Sequence, residues 1–181
     1  MEKNNKGKEE VTFSADFGRL TEKDIDESSL LAEEFFQMQN KPKEIPASVE
    51  NKRFILKKIP ECDNIIRCNG RAIGFTFIVP CNVGIMERFL SNKITERELF
   101  DECKNKITYD NFDAIYLCSS FIKKKYRGRG LAIQGRIKSI NKIIGGRKIK
   151  PILFSWPQTI EGGKSVKRTA QELGFHLKLK K

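Results

Sequence analysis

One passage constrains this chain more than any other: residues 114–144, where an apolar stretch, a basic glycine loop and a second apolar stretch follow without a break. Ile115, Tyr116, Phe121 and Ile122 make 114–122 rich in β-branched and aromatic residues, which suit a pleated surface and predict a strand. Ile133, Ile137, Ile140 and Ile144 recur at helical spacing, so one stripe of the second stretch faces a core. Gly145-Gly146 follows as a helix stop. Between strand and helix stand Lys123, Lys124, Lys125, Arg127 and Arg129, with Gly128 and Gly130 among them. The first turn of a helix leaves backbone N–H groups unpaired and carries partial positive charge. Glycines let such backbone approach a bound group closely, so the loop reads as a cradle for a diphosphate. The plainer alternative is a solvated basic turn; a strand before, a helix after and cations throughout favour the cradle.

Spacing narrows the ligand. A dinucleotide site wants Gly-x-Gly-x-x-Gly and an acid about 20 residues on. Ile133 stands where the third glycine belongs, and no acid occurs between Asp113 and Glu161. The nucleoside-triphosphate loop is missing too, because Gly163-Lys164-Ser165 is preceded by Gln158 where a glycine is needed. Arg127-Gly128-Arg129-Gly130-Leu131-Ala132, after an apolar strand and opening a helix, resembles the Arg/Gln-x-x-Gly-x-Gly/Ala signature of the GNAT superfamily of N-acetyltransferases, which bind acetyl-coenzyme A there. Gln171-Glu172-Leu173-Gly174-Phe175 is similar to the Gly-Phe ending of that family's last helix. The resemblance is tight over 114–176 and topological before it. It implies an α/β (α+β) fold with a mixed, mostly antiparallel central sheet of about six to seven strands and helices on both faces.

Composition agrees with a folded domain. At 181 residues, 39% hydrophobic and 32% charged, the chain is expected to form a single domain over 11–181 behind a flexible tail over 1–10. No apolar run approaches the roughly 20 residues that span a bilayer, and the N-terminus is too polar for a secretory signal. Cysteines at 62, 68, 81, 103 and 118 lack metal-ligand spacing and the single histidine is His176, so reduced thiols, no metal, no membrane and a cytoplasmic protein are expected. Net charge is +12 and one-sided: residues 1–100 hold 16 Lys+Arg against 17 Asp+Glu, for −1, and residues 101–181 hold 19 against 6, for +13. The basic half implies an anionic partner, either coenzyme A phosphates or nucleic acid.

The remaining elements read in order as follows. A strand is predicted over 11–17, then a helix from Thr21-Glu22-Lys23-Asp24 to about residue 39 with Leu30, Leu31, Phe35 and Met38 on one side. Residues 41–48, with two prolines, are read as a loop. Strands follow at 53–59, 64–68 and 71–79, the last two joined by Asn69-Gly70, a hairpin signal. A helix over 84–105 contains the capping box Thr95-x-x-Glu98. After the central passage come a strand at 149–156, a helix at 163–173 and a strand at 175–179.

The resemblance implies direct transfer of an acetyl (acyl) group from acetyl-CoA to a primary amine in a ternary complex. It assigns the pantetheine arm to backbone at Phe121 and Ile122, and the diphosphate to Arg127, Gly128, Arg129, Gly130, Leu131 and Ala132. The proton-transfer groups depart from the pattern. Ala170 stands where many members carry a tyrosine acid, and Tyr116 where some carry a glutamate base. Tyr116, Ser155, Ser165 and Thr169 are left as catalytic candidates, each with a packing or plain polar reading beside it. Asp110, Asp113 and Glu161 read as loop charges, His176 as structural or acceptor-side, Trp156 as core or cleft lining, and Cys118 as no nucleophile. The acceptor, a small molecule or a protein, would be shaped by residues 40–52, 80–112 and 157–163, and the enzyme would be a monomer or homodimer. Two alternatives stay open: an inactive CoA-binding regulator, and a nucleic-acid module, for which only Tyr126 and Trp156 are plausible stacking aromatics.

Overall fold

Six strands form one sheet in chain order: β1 (Val11–Phe13), β2 (Asp63–Cys68), β3 (Arg71–Cys81), β4 (Ala114–Ile122), β5 (Ile152–Ser155) and β6 (Leu177–Leu179). The computed structural model describes residues 9–18, 20–37, 41–106 and 110–181. The first four strands pair antiparallel, whereas β4–β5 and β5–β6 are parallel. Parallel neighbours need crossovers, and α5 (Leu131–Ile144) and α6 (Ile160–Leu173) supply them. The β2–β3 hairpin turns on Asn69 and Gly70, both left-handed at φ 49° and 77°, as a two-residue Asn-Gly turn requires.

Helices cover both faces. Successive strand residues point to opposite sides, so Phe75 and Phe77 face one way and Thr76 the other. Phe75 meets Phe36 of α1 (Glu22–Phe36), and Phe77 meets Phe100 of α4 (Glu96–Lys106). On the opposite face α5 lies over a polar row, Asn64, Thr76 and Ser120, paired across β2, β3 and β4. Gly135 permits that approach: a Cβ there would sit 3.0 Å from Thr76 Oγ1, while its carbonyl accepts from Asn64 Nδ2 at 3.0 Å.

Several expectations are corrected. Residues 53–59 are not a strand; they lie largely within α2 (Val49–Lys58). Ser48 caps α2 by accepting from Asn51 N, and Asn51, Ile55 and Ile59 are buried at four-residue spacing. Helical burial thus overrode the local β-forming residues. The helix over 84–105 is two helices, α3 (Val83–Leu90) and α4, because the chain turns at left-handed Asn92 and restarts at the Thr95–Glu98 capping box. β1 stops at Phe13, where Asn64 Oδ1 takes up the Ser14 hydroxyl and the Ala15 amide. β3 runs through Pro80 to Cys81; its last β2 partner is Phe77, so the proline lies where only β4 is paired. α1 ends at Phe36 with Gln37 left-handed, and the expected end near 39 lies outside the described residues, as does most of the expected tail. β5 and β6 are shorter than read, and α6 starts earlier because Thr159 accepts from Gly162 N at 2.9 Å.

β2 opens with a buried carboxyl. Asp63 Oδ2 accepts from Ser28 Oγ at 2.6 Å, and Oδ1 has no partner. Burial, with the Asp24 charge nearby, pushes Asp63 up to about 7. A carboxyl raised on folding contributes stability below its unfolded value and loses it as pH climbs through the folded one. Folding should therefore weaken between roughly pH 4 and pH 7, and the advantage of Asp63→Asn over the parent should widen by about 2–3 kcal/mol from pH 5 to pH 8. Urea midpoints at the two pH values measure it; a pH-independent difference refutes it.

Candidate active site

A split in the sheet makes the site. β5 pairs with β4 only from Ala114–Ile152 to Tyr116–Phe154. Against β3, the register of β4 slips: Leu117 faces Ile78 and Ser119 faces Phe77, leaving Cys118 unpaired on that side. Such a bulge bends a strand away from its neighbour. Ser155 Oγ donates to Leu117 O at 2.8 Å at the last point of contact. Beyond it opens a cleft of about 870 Å³, walled by α1 and loop 44–47 on one side and by the start of α5 and residues 155–168 on the other.

The glycine loop forms one end of this cleft. Gly128 and Gly130 are left-handed, at φ 79° and 73°, and both line it. A Cβ on Gly128 would meet nothing within 4 Å, and one on Gly130 only Gln134 Nε2 at 3.8 Å, so the space before the loop is open. Gly130 is the N-cap of α5 and supplies no side-chain acceptor, so the first-turn amides keep their capacity for an anion. Phe121, Ile122, Leu131 and Ala132 line the cleft as well. Arg127 is pinned at the mouth: its Nε donates to Ile122 O at 2.8 Å and its guanidinium stacks over Phe35 and Phe121. Arg129 lies outside the lining and pairs with Glu9 at 2.6 Å. The cradle therefore fits a diphosphate in shape, open amides and charge.

Deeper in, the structure reveals a carboxylate that the sequence reading passes over. Glu96, first residue of α4, is only 8% exposed and lines the cleft. It accepts from Tyr116 Oη at 2.7 Å, Cys118 Sγ at 3.5 Å and Ile45 N at 3.4 Å. Burial, reinforced by the Glu44 charge, raises its carboxyl above the ordinary range despite the Tyr116 bond. The Tyr116 phenol is itself pushed well up by burial and by Glu96, so it stays protonated and serves as the donor that orients Glu96. A raised carboxyl in a cleft suits a general base. The only signal for it lay beside the Thr95–Glu98 capping box, where Glu96 looks like one more first-turn acid.

The other candidates divide clearly. Tyr116 is both a hydrogen-bond partner of Glu96 and a packing residue, stacked on Phe154 with ring centroids 5.0 Å apart. Ser155 has its hydrogen committed to the Leu117 carbonyl. Ser165 lines the cleft and Thr169 lies behind it; both accept from Arg136 of α5. Trp156 and Glu161 line the cleft, while Asp113 caps α3 through Val83 N at 2.7 Å. Asp110 lies 3.9 Å from Arg147, and His176 is exposed, with its carbonyl accepting from Leu153 N. The Cys118 thiol is pushed well up by burial and Glu96, which keeps it protonated and non-nucleophilic.

The sheet with a split after β4, a glycine cradle at the start of α5 and helices on both faces is the GNAT acetyltransferase fold. No family profile and no curated protein sequence matches the chain. Solved structures do. A diaminobutyrate acetyltransferase, EctA, from Paenibacillus lautus, in complex with L-2,4-diaminobutyric acid and coenzyme A, is similar at a TM-score of 0.55 and 12% identity, over 92% of this chain and 78% of that one. The aminoglycoside N-acetyltransferase AAC(6')-Iy, in complex with CoA, gives 0.53 and 15% over 94% and 91%. An aminoglycoside acetyltransferase from an uncultured soil metagenomic sample, in complex with trehalose, gives 0.51 and 12% over 89% and 87%. At such identities the likeness is one of fold.

Proposed function

We propose that this protein is an N-acetyltransferase that moves an acetyl group from acetyl-coenzyme A to a primary amine. The observation that carries the reading is one cleft holding both an open amide cradle, at Gly128–Gly130, and a buried carboxylate with raised affinity for protons, Glu96. Bound acetyl-CoA supplies the activated thioester. Loop 127–132 holds its diphosphate and the unpaired edge of β4 at Phe121 and Ile122 meets the pantetheine amides, as an added strand would. Glu96, aligned by Tyr116, takes the proton that the amine sheds as its nitrogen bonds to the acetyl carbon and the carbon–sulfur bond breaks. Similarity of fold to a diaminobutyrate acetyltransferase solved with its substrate and coenzyme A, and to an aminoglycoside N-acetyltransferase solved with CoA, supports an amine acceptor. Five free thiols fit a reducing, cytoplasmic setting, and we take residues 11–181 as one domain working as a monomer or homodimer.

Acetyl-CoA at about 100 times its Kd should stabilise the protein by about 2.7 kcal/mol, a rise of roughly 5–11 °C in Tm. Gly128→Ala should lower Tm by a few degrees, since alanine at φ 79° costs about 1–2 kcal/mol although its Cβ meets no protein atom, and it should abolish most of the ligand-induced rise by occupying the anion's space. Thermal melts with and without ligand test the cradle, and thiol release across a panel of amines tests the reaction. Stabilisation without thiol release from any amine would leave a CoA-binding regulator instead.

A further inference from the structure

Arg136 has no place in the reaction as described above, yet it is the only fully buried Lys or Arg among the described residues, 3% exposed on the second turn of α5. Its Nη1 donates to Ser165 Oγ at 2.8 Å and Thr169 Oγ1 at 3.5 Å on α6; its Nη2 donates to Ser120 Oγ at 2.6 Å on β4. One guanidinium thus ties α5, α6 and β4 together beside the cleft. No carboxylate is among these partners, and Nε has no partner among the described residues. Burial draws the guanidinium down to about 10, the mark of a cation without a counter-charge.

The hydroxyls sharpen the point. Ser120 and Ser165 each accept a hydrogen from Arg136, so each must aim its own hydrogen elsewhere. Thr169 gives its hydrogen to Ser165 O at 3.0 Å, whereas Ser120 and Ser165 donate to no group among the described residues. Both serines and Arg136 line the cleft. The wall therefore offers two O–H groups and a guanidinium, all donors, which is a complement to an anion.

Position decides which anion. Glu96 touches Cys118, and Ser120 is two residues further along β4 toward the cradle, about 6.6 Å at strand rise. An amine within hydrogen-bond reach of Glu96 attacks a carbon whose sulfur lies one bond further on, again on the cradle side. A pantetheine arm laid along β4 from the cradle would bring that sulfur past Ser120, whose hydroxyl faces α5 on the side of the sheet opposite Glu96. Resting on the acetyl-transfer reading, we propose that Arg136, with the hydroxyls of Ser120 and Ser165, forms the site that receives the departing thiolate of coenzyme A. As the carbon–sulfur bond breaks, its electron pair goes to sulfur, which leaves as an anion held by these donors. The amine's proton goes to Glu96 and then to solvent, so no acid is needed on α6, where Ala170 has no proton to give.

The test is the ionisation of coenzyme A itself, followed by the ultraviolet absorbance of its thiolate in the complex. Free thiols ionise near ~8.5, and the bound thiol should ionise at least about one pH unit lower. Arg136→Gln should return it to the free value and lower kcat on the order of 10²-fold, Arg136→Lys should keep most of the shift, and Ser165→Ala should lose part of it. Binding of acetyl-CoA, which has no free thiol, should change less than about threefold in Arg136→Gln, a sign that the fold persists. A parent complex that turns over amines while its bound thiol titrates like free coenzyme A overturns this site and leaves the acetyl-transfer reading intact. Failure of the parent to bind coenzyme A overturns both.

Discussion

Glu96→Gln is expected to lower kcat for amine acetylation by about 10²–10⁴-fold, the range spanned by loss of a positioned general base. The substitution is nearly isosteric, and Gln Oε1 can still accept from Tyr116 Oη, now at 2.7 Å from Glu96, so the cleft should keep its shape and acetyl-CoA its affinity. The pH dependence carries a sign of its own. Burial raises the Glu96 carboxyl, and only the ionised form takes a proton, so kcat/KM for the parent should climb through a limb lying above the ordinary carboxylate range. Glu96→Gln should show residual activity without that limb. Tyr116→Phe removes a hydrogen bond to the charged form, so it should move the limb further up in pH with a smaller loss of rate. Activity of Glu96→Gln within about threefold of the parent, with the limb in place, would mean that the base is elsewhere.

Gly74→Ala should be the most damaging single-methyl substitution in the sheet. Gly74 pairs with Ile122 where β3 and β4 run beside the cleft. A Cβ there would collide with the Phe121 carbonyl and stand 2.7 Å from Ile122 Cδ1 and 3.1 Å from Ile122 Cα. Two of those contacts are backbone, which cannot rotate away, so β4 itself must move. Overpacking of this kind costs about 3 kcal/mol or more, a loss of roughly 6–12 °C in Tm for a chain of this size. The displaced segment is the one proposed to meet the pantetheine, so acetyl-CoA affinity should fall with stability. Gly128→Ala, by contrast, should cost affinity with a smaller loss of stability, that of alanine at a left-handed position. A Gly74→Ala protein within about 2 °C of the parent Tm would show that the two strands can separate freely at this point.

The sequence read well where local chemistry and tertiary structure agree. Asn69-Gly70 demanded a hairpin, Thr21 announced a helix start, and Gly145 and Gly174 announced helix ends; each sits as expected, because a turn or cap is decided within four or five residues. It read poorly where burial arbitrates. Residues 53–59 have the composition of a strand, yet Ser48 and a four-residue burial spacing make them helical.

The same division runs through the candidate site. The glycine loop is a local object: two glycines, a helix start and a run of cations lie within ten residues, so sequence alone determined its position between β4 and α5. The groups around the proposed reaction centre are not local. Glu96 meets Tyr116 across 20 residues and Ile45 across 51, and Arg136 meets Ser120 across 16 and Ser165 across 29. A glutamate in a first turn and an arginine amid a helical stripe are unremarkable until folding removes them from water. Only the tertiary structure decided that these two charges are buried in one cleft, because desolvation and hydrogen bonding are properties of the packed molecule and not of any stretch of chain.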